Sequence, residues 1–418
     1  MSPDALASAL AWLHTQAGSA LLDEAARLPA DRLTRLTRLR RRYPYPADLA
    51  AAAVELLELR RRARAKFAQA DRMFFTGEGL EQSTGEVIAH YRAGRFPAGE
   101  AVLDACCGIG GDALALAERG PVLAVDRVPA AAVCTRANAE ALDLPHPVFA
   151  LCADVTTLDL ARLRAGGIRA AFFDPSRRTE DRVGQRRRAR AAEAYTPPLS
   201  WSEALRAHFP SLAVKVSPAI EDAALRPYPA RVEFLSDRGE CKEAVLWFGP
   251  LTEALPETPA RHTEGEAYCA TVLRPGSPPV TLAPFPCDPP LLSAPRAWLY
   301  EPDPAVLRAH LVPQVAALLS AAQLDSQIAY LTADALTASP FAAAYRVLDW
   351  MPFNLKHMQS RLKSLGRYVA AIKKRGVPLE PEDLRKRLTG AEAGGTPAVV
   401  VLTRRQEKPI ALLCEPAP

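Results

Sequence analysis

The chain has no run of eighteen apolar residues, and no charged stretch leads into an apolar one at its start. A membrane-crossing helix needs about twenty such residues and a secretory leader needs that opening, so neither is expected and the protein is read as cytoplasmic. Its eight cysteines include no C-x-x-C pair, and the adjacent Cys106 and Cys107 are poorly placed for a mutual disulfide or a zinc site. Reduced thiols and no metal are therefore expected. Net charge is also small, +5 over 418 residues, because 52 basic residues meet 47 acidic ones.

Apolar material is plentiful, at 49% of residues, and the length exceeds what one core supports, so two or three domains are expected. The small net charge is unevenly placed. From Arg177 to Glu193 seven arginines meet three acids, and from Lys356 to Arg387 ten basic residues meet three acids. Such surpluses suit a polyanionic partner, because phosphates release counterions when neutralised. Solvated helix faces are the alternative.

The stretch from Ala101 to Asp126 organises the rest. Ala101 to Leu103 form a short apolar run ending on Asp104, and Gly108, Gly110 and Gly111 follow at once. Glycines at a strand-to-helix turn let the backbone pass close to a ligand. Ala113, Leu114, Leu116 and Ala117 then fall at helical spacing, Gly120-Pro121 stops the helix, and Val122 to Val125 lead to Asp126. This is half of a nucleotide-binding βαβ unit. Gly108-Ile-Gly-Gly-Asp-Ala113 also satisfies a loose dinucleotide fingerprint, so the glycines alone do not choose the ligand. Asp104 does: a carboxylate at the strand tip repels a pyrophosphate and attracts the amino group of S-adenosylmethionine. Asp126 can take both ribose hydroxyls, and Asp154, after a third apolar run, is placed for the adenine amino group. Helix capping by these strand-end acids is the plain alternative. Cys106, inside the loop, is read as filling space beneath the cofactor, and Arg127 as bordering it.

Residues 1–72 are rich in Ala, Leu and Arg, with helical periodicity broken at Pro29, Pro44 and Pro46, and read as a helical domain. Its segment Leu56 to Lys66 is strongly basic and could touch nucleic acid. Residues 73–250 begin with a lid segment in which Phe74, Phe75 and Gln82 are candidates to close over the cofactor, or simply to seal the helical domain to the next. Strand-like and helix-like runs then alternate, which predicts a doubly wound, mostly parallel sheet closed by a hairpin across Ser236 to Glu243. Helices are expected at Ala219–Leu225 and Ala305–Ala322. Residues 251–295 read as a proline-rich connector with a few short strands, and 296–418 as a separate mixed α/β domain with the basic run Lys373-Lys-Arg375 between its elements.

The fourth strand ends in Asp174-Pro-Ser-Arg-Arg178, across the switch point of such a sheet from the glycine loop. The Asp174 carboxylate can accept a hydrogen bond from an exocyclic amino group, and Pro175 stiffens the loop that presents it. A flipped base needs a flat surface, for which Tyr195, Trp201 and the Arg177 guanidinium are candidates, with plain core packing the alternative for either aromatic. Arg177 and Arg178 are also read as contacts to phosphate or base.

Asp104-Ala-Cys-Cys-Gly-Ile-Gly-Gly-Asp112, Asp126, Asp154 and Asp174-Pro-Ser-Arg177 resemble the successive motifs of class I S-adenosylmethionine-dependent methyltransferases. Phe74-Phe-Thr76, Glu81-Gln-Ser-Thr84 and the Cys-Cys-Gly-Ile-Gly-Gly loop are similar to the trimethylguanosine synthase type, and the carboxyl-terminal third resembles a THUMP-like domain. The resemblance implies a Rossmann-like seven-stranded sheet, S-adenosylmethionine as cofactor, and RNA, transfer or ribosomal, as substrate. Amino-directed members carry a second proline and an aromatic residue where this chain has Ser176 and Arg177. The Asp-Pro-Pro-Arg uracil type needs a cysteine where this chain reads Lys215-Val-Ser217, so covalent C5 chemistry is disfavoured. The sequence thus points to methylation of an RNA base nitrogen, an exocyclic amino group of guanine or adenine. A non-catalytic RNA-binding protein and a DNA or small-molecule methyltransferase are the alternatives.

Overall fold

Proline sets the joints of the amino-terminal region. In the computed structural model, which describes residues 2–42, 46–176, 178–180, 186–188, 194–256, 268–378, 384, 387–388 and 395–417, helices α1 (Pro3–Leu13), α2 (Gln16–Arg27), α3 (Arg32–Arg42) and α4 (Ala47–Ala63) break around Pro29 and Pro46. The break between α1 and α2 was not anticipated. It falls at Thr15, whose side chain accepts from the Gly18 amide and caps α2. The readings placed on Arg177 and on most of 177–193 and 379–394 lie outside the described residues.

Contacts divide the chain into two units, Met1–Glu233 with Lys242–Leu255, and Phe234–Cys241 with Pro256–Pro418. In the first, the helical region and the glycine-loop region share one core. Leu13, Ala25, Ala53 and Leu56 belong to it, as do Phe67, Phe74 and Phe75, together with Ile109, Leu114, Cys134 and Ala137. Phe74 and Phe75 are buried core residues at 4% and 1% exposure and cannot swing over a pocket. Of the two roles the sequence allowed them, sealing one region to the next is what the structure displays. The basic end of α4 is also committed internally. Lys66 Nζ donates to the carbonyls of Leu80, Glu81 and Ser83 at 2.6, 3.2 and 3.0 Å, closing the carboxyl end of α5 (Gly77–Gln82). Arg60 donates to the Met73 carbonyl, and Arg61, Arg62 and Arg64 pair with Glu58, Glu81 and Asp71.

The sheet of this unit is built from β1 (Ala101–Ala105), β2 (Val122–Asp126), β3 (Val148–Cys152), β4 (Ile168–Phe173), β5 (Ser211–Val216), β6 (Arg231–Asp237) and β7 (Glu240–Phe248). These seven stand in the order β6-β7-β5-β4-β1-β2-β3, within a sheet of nine strands. β1 to β5 pair in parallel, and β7 runs antiparallel to β5. Reversal of order at β1 and β4 leaves the crevice outside their carboxyl ends. These seven make the Rossmann-like arrangement anticipated, hairpin included. The helix expected over Ala219–Leu225 shortens to Asp222–Leu225.

Two buried arginines on α6 (Glu86–Ala93) and just beyond it fasten this helix to the sheet. Arg92 pairs with Asp112 and Glu243, is 2% exposed, and stacks over Phe172 with 4.6 Å to the ring centroid. Arg95 pairs with Glu233 at 3.0 Å, and Trp247 Nε1 and the Tyr91 hydroxyl donate to the same carboxylate at 2.9 and 2.6 Å.

In the second unit seven strands form a mixed sheet, in the order Ala322–Asp325, Ile328–Ala333, Trp298–Pro302, Ala342–Pro352, Lys408–Pro416, Thr396–Arg405 and Arg367–Lys374. Only its last pair is parallel among the registers described. Alternation sends Ala398, Val400 and Leu402 to one face, against Met358 and Leu362 of helix Leu355–Ser364. Val399 and Val401 go to the other, with Leu299 and Tyr330. The helix expected over Ala305–Ala322 is two, Pro304–Arg308 and Val312–Leu319, because Pro313 starts a new helix rather than continuing one. Lys373 and Lys374 lie within a strand, not between elements. No helix among the described residues is long and apolar enough to cross a membrane.

Replacing Arg92 by Met would leave Asp112 and Glu243 buried without their shared cation. The variant is expected to lose about 3–5 kcal/mol of unfolding free energy in a urea titration.

Candidate active site

The loop after β1 turns on residues in the left-handed region. Cys106, Gly108 and Gly110 have φ of 68°, 56° and 87°. A side chain on Gly110 would meet Thr135 at 3.0 Å, so that position is closed on both conformational and steric grounds. Helix α7 (Pro129–Ala141) holds the loop from below. Thr135 Oγ donates to the Gly108 carbonyl at 2.9 Å, and Asn138 Nδ2 donates to the carbonyls of Ile109 and Phe74 at 2.9 and 3.1 Å. Neither residue was singled out from the sequence; the signal was a polar pair one turn apart on an otherwise apolar helix face.

Asp104 is fully buried, and among the described residues neither carboxylate oxygen has a hydrogen-bond partner. Burial pushes its carboxyl well above the usual range, Asp112 and Asp174 push the same way, and Arg92 opposes them. Asp126, half-buried at the end of β2, accepts from the amides of Gly108 and Val128, each at 2.9 Å. Burial raises its carboxyl despite those bonds, which work in the opposite direction. Each of its oxygens keeps a second lone pair for a ligand hydroxyl.

Asp154 is exposed. Its Oδ1 accepts from the Thr156 amide and hydroxyl at 2.9 and 2.7 Å, capping the short turn Val155–Thr157. The capping role left open by the sequence is thus in place, and both bonds fall on one oxygen. Thr156 holds this carboxyl below its usual range. Cys106 is half-buried, and Cys107 is buried against the Thr135 hydroxyl at 3.6 Å. Burial raises both thiols well above normal, and the neighbouring acids add to it, so neither is a ready nucleophile. Arg127 is exposed beside Asp126. Gln82 is half-buried on α5 with its amide donating to Glu78 at 3.0 Å.

Across the switch point Asp174 leaves β4 with its amide bonded to the Ala105 carbonyl at 3.1 Å. Its Oδ2 pairs with Lys215 Nζ of β5 at 2.6 Å. The Lys215 side chain is 4% exposed and that of Asp174 22%, so the carboxylate faces outward from a buried cation. Lys215 also donates to Thr84 Oγ at 2.9 Å, Arg92 donates to the same hydroxyl at 3.1 Å, and Thr84 donates onward to Asp112 at 3.1 Å. Thr84 thus joins both buried cations. Lys215 was legible as the one cation inside the apolar run Leu212 to Val216, but it had been noted only for not being cysteine.

Pro175 is buried, and Ser176 pairs with Thr196 through reciprocal backbone bonds of 2.9 and 3.1 Å, which close the base of the intervening loop. Two stacking candidates change character. Tyr195 is 2% exposed and its oxygen accepts from the Ser217 amide, so its ring is a core element without a free face for a base. Trp201 is half-buried edge-to-face on Phe173 with centroids 5.1 Å apart. Arg177 and the side chain of Arg178 lie outside the described residues.

The strand order, the left-handed glycine loop and the acids ending β1, β2 and β4 define a Rossmann-like domain of the class I methyltransferase type. The orphaned Asp104 carboxylate fits a ligand that brings its own cation, as the ammonium of S-adenosylmethionine would. Residues 99–181 match a family described as RNA cap guanine-N2 methyltransferase, residues 342–416 a THUMP domain-like family, and residues 6–63 a domain of unknown function. Two sequences from Mycobacterium tuberculosis, strains CDC 1551 and H37Rv, both described as uncharacterized S-adenosylmethionine-dependent methyltransferases, are 32% identical over 376 residues, covering 85% of this chain and 93% of theirs. A Porphyromonas gingivalis W83 crystal structure with a provisional methyltransferase description shares the fold at TM-score 0.76 and 23% identity, over 96% of this chain and 98% of that one. The chain belongs to the S-adenosylmethionine-dependent methyltransferases.

Proposed function

We propose that this enzyme methylates a base nitrogen of RNA, an exocyclic amino group of guanine or adenine in transfer or ribosomal RNA. The observation that carries this reading is the Asp174 carboxylate, exposed on one side and tied to buried Lys215 on the other, one strand from the orphaned Asp104. The guanine-N2 family match over the sheet and the THUMP-like match over the tail support RNA as the substrate class.

Bound S-adenosylmethionine supplies a methyl group already activated on a sulfonium. Asp104 receives its ammonium, and the freely approachable backbone at Gly108 and Gly110 lets it lie close. Asp126 accepts from its ribose hydroxyls, and Asp154 Oδ2 from its adenine amino group. Cys106 packs beneath it, and Arg127 and Gln82 line the rim. No metal or strong base is required, so positioning and exclusion of water supply most of the rate. Lys215 occupies Asp174 Oδ2, which leaves Oδ1 to accept the substrate amino hydrogen and aim the nitrogen lone pair outward. Buried Pro175 keeps that oxygen in place. The proton released after transfer passes to the carboxylate already hydrogen-bonded to the amino group. Arg177 and Arg178, next along the chain, are assigned to phosphate or base on sequence grounds.

Asp104→Asn removes a charge-assisted bond and is expected to weaken cofactor binding by about 1.5–3 kcal/mol in titration calorimetry, as is Asp126→Ala. Asp174→Ala should leave cofactor affinity within about twofold and lower transfer at least 100-fold, on the order of a lost positioning and acid–base contribution. A variant with undiminished turnover contradicts the role of Asp174. The reading as a whole is tested by transfer of labelled methyl to total RNA from cells lacking this gene, followed by nucleoside digestion and mass spectrometry. Label in one base-methylated guanosine or adenosine is expected; label absent from RNA but present in DNA or a small molecule overturns the substrate class.

A further inference from the structure

The two basic helices of the amino-terminal region are treated differently by the fold. On α4 every cation from Arg60 to Arg64 has a partner, as described above. On α3, among the described residues, none of the exposed ones has a carboxylate partner. Residues 31–42 read Asp-Arg-Leu-Thr-Arg-Leu-Thr-Arg-Leu-Arg-Arg-Arg, six arginines to one acid, a local surplus equal to the net charge of the whole chain. The one acid, Asp31, is engaged at the start of the helix, where it accepts from the Thr34 amide at 2.7 Å. Arg35 turns back to the Leu28 carbonyl at 3.2 Å. Arg32, Arg38, Arg40 and Arg41 are exposed, and among the described residues no carboxylate pairs with them. In the carboxyl-terminal unit, by contrast, Arg361, Arg367, Lys373 and Arg375 meet Asp349, Glu415 and Glu301. The long basic stretch that looked strongest in the sequence is partly neutralised, and the short one is not.

From this contrast we infer that α3 is a docking surface for the phosphate backbone of the RNA substrate, an inference that rests on the reading of the enzyme as an RNA methyltransferase. Unpaired guanidinium groups repel one another along a helix, and the arrangement is stabilised when an external polyanion supplies the missing charge. Arginine suits this because its planar fork pairs with phosphate oxygens two at a time. Arg32 and Arg41 stand about 14 Å apart along the axis at ~1.5 Å per residue, enough to meet several phosphates. An anionic lipid surface would need the apolar side of the helix as well. That side is already engaged, with Leu39 buried at 1% and Leu36 packed on the helical core. Leu33, at 73% exposure, is a single apolar residue against four exposed arginines, too little apolar area for insertion into a membrane, so charge dominates the face, which is what a phosphate backbone takes.

The test uses the full chain carrying Arg32→Gln, Arg38→Gln, Arg40→Gln and Arg41→Gln together. Binding to fluorescein-labelled bulk transfer RNA is followed by anisotropy between about 50 and 200 mM salt, the range over which phosphate contacts weaken steeply. Each lost contact removes roughly 0.7–0.9 from the slope of log affinity against log salt, so a slope shallower by about 2 or more is expected. Arg206→Gln, at a half-buried arginine paired with Glu203 on another helix, should leave it unchanged. S-adenosylmethionine affinity and melting temperature verify that the fold is intact, and the fourfold Lys variant, which keeps the charge, should retain most of the binding. An unchanged slope overturns the proposal, as does loss of binding to phosphatidylglycerol vesicles with RNA binding intact. Because this readout is binding and not transfer, α3 can fail while labelled methyl still reaches RNA, and the RNA reading can fail while the slope measurement stands by itself.

Discussion

A buried carboxylate with no partner is the constraint on which the rest of the first unit depends. Asp104 lies at the tip of the central strand with both oxygens unsatisfied. Asp112, Asp174 and Asp126 act on it, and the buried cations Arg92 and Lys215 are shared among Asp112, Glu243 and Asp174. An excess of buried negative charge is costly in a protein interior unless a ligand brings the cation. S-adenosylmethionine carries two cationic centres and one carboxylate. In our reading the same charge excess that burdens the empty protein selects that cofactor over a dinucleotide, whose pyrophosphate would increase it.

Thr84 links this electrostatic centre to the amino-terminal region. Its hydroxyl accepts from Lys215 and Arg92 and donates to Asp112, so a residue upstream of the sheet fixes the cation behind Asp174. The segment that carries it is fastened by Lys66 to the carbonyls of α5 and by Asn138 to the Phe74 backbone. The helical region is therefore part of the machinery's foundation, not a detachable appendage, and Phe67, Phe74 and Phe75 explain why it shares a core with the glycine loop.

The fold was legible where short-range signals agreed. Glycines after an apolar run, alternating helix and strand periodicities, and prolines between helices located the sheet and the joints of α2, α3 and α4. The acids of β1, β2 and β4 were legible as strand-end carboxylates, and the Asp104 geometry exceeds what the sequence could say, since burial without a partner is a tertiary fact. What stayed hidden was long-range pairing. Lys215, Glu233 and Glu243 look like blemishes in apolar strands until Asp174, Arg95 and Arg92 are brought to them. Tyr195 looked available because aromatic identity does not report burial, and the Lys356 to Arg387 surplus looked free because Asp349, Glu301 and Glu415 are distant in sequence from the cations they pair with.

The central claim is that the cofactor's ammonium supplies the partner Asp104 lacks, and proton linkage tests it most directly. Burial holds the Asp104 proton to higher pH than an ordinary aspartate. A cation bound beside it favours the ionised form, so binding should release a proton while the free protein still holds one, and affinity should rise with pH through that range. Titration calorimetry of S-adenosylmethionine in two buffers of different ionisation enthalpy counts the protons released. The account expects net release from acid toward neutral pH that disappears in Asp104→Asn. Equal proton counts in the two proteins would show that Asp104 does not meet the cofactor's charge, and would contradict it.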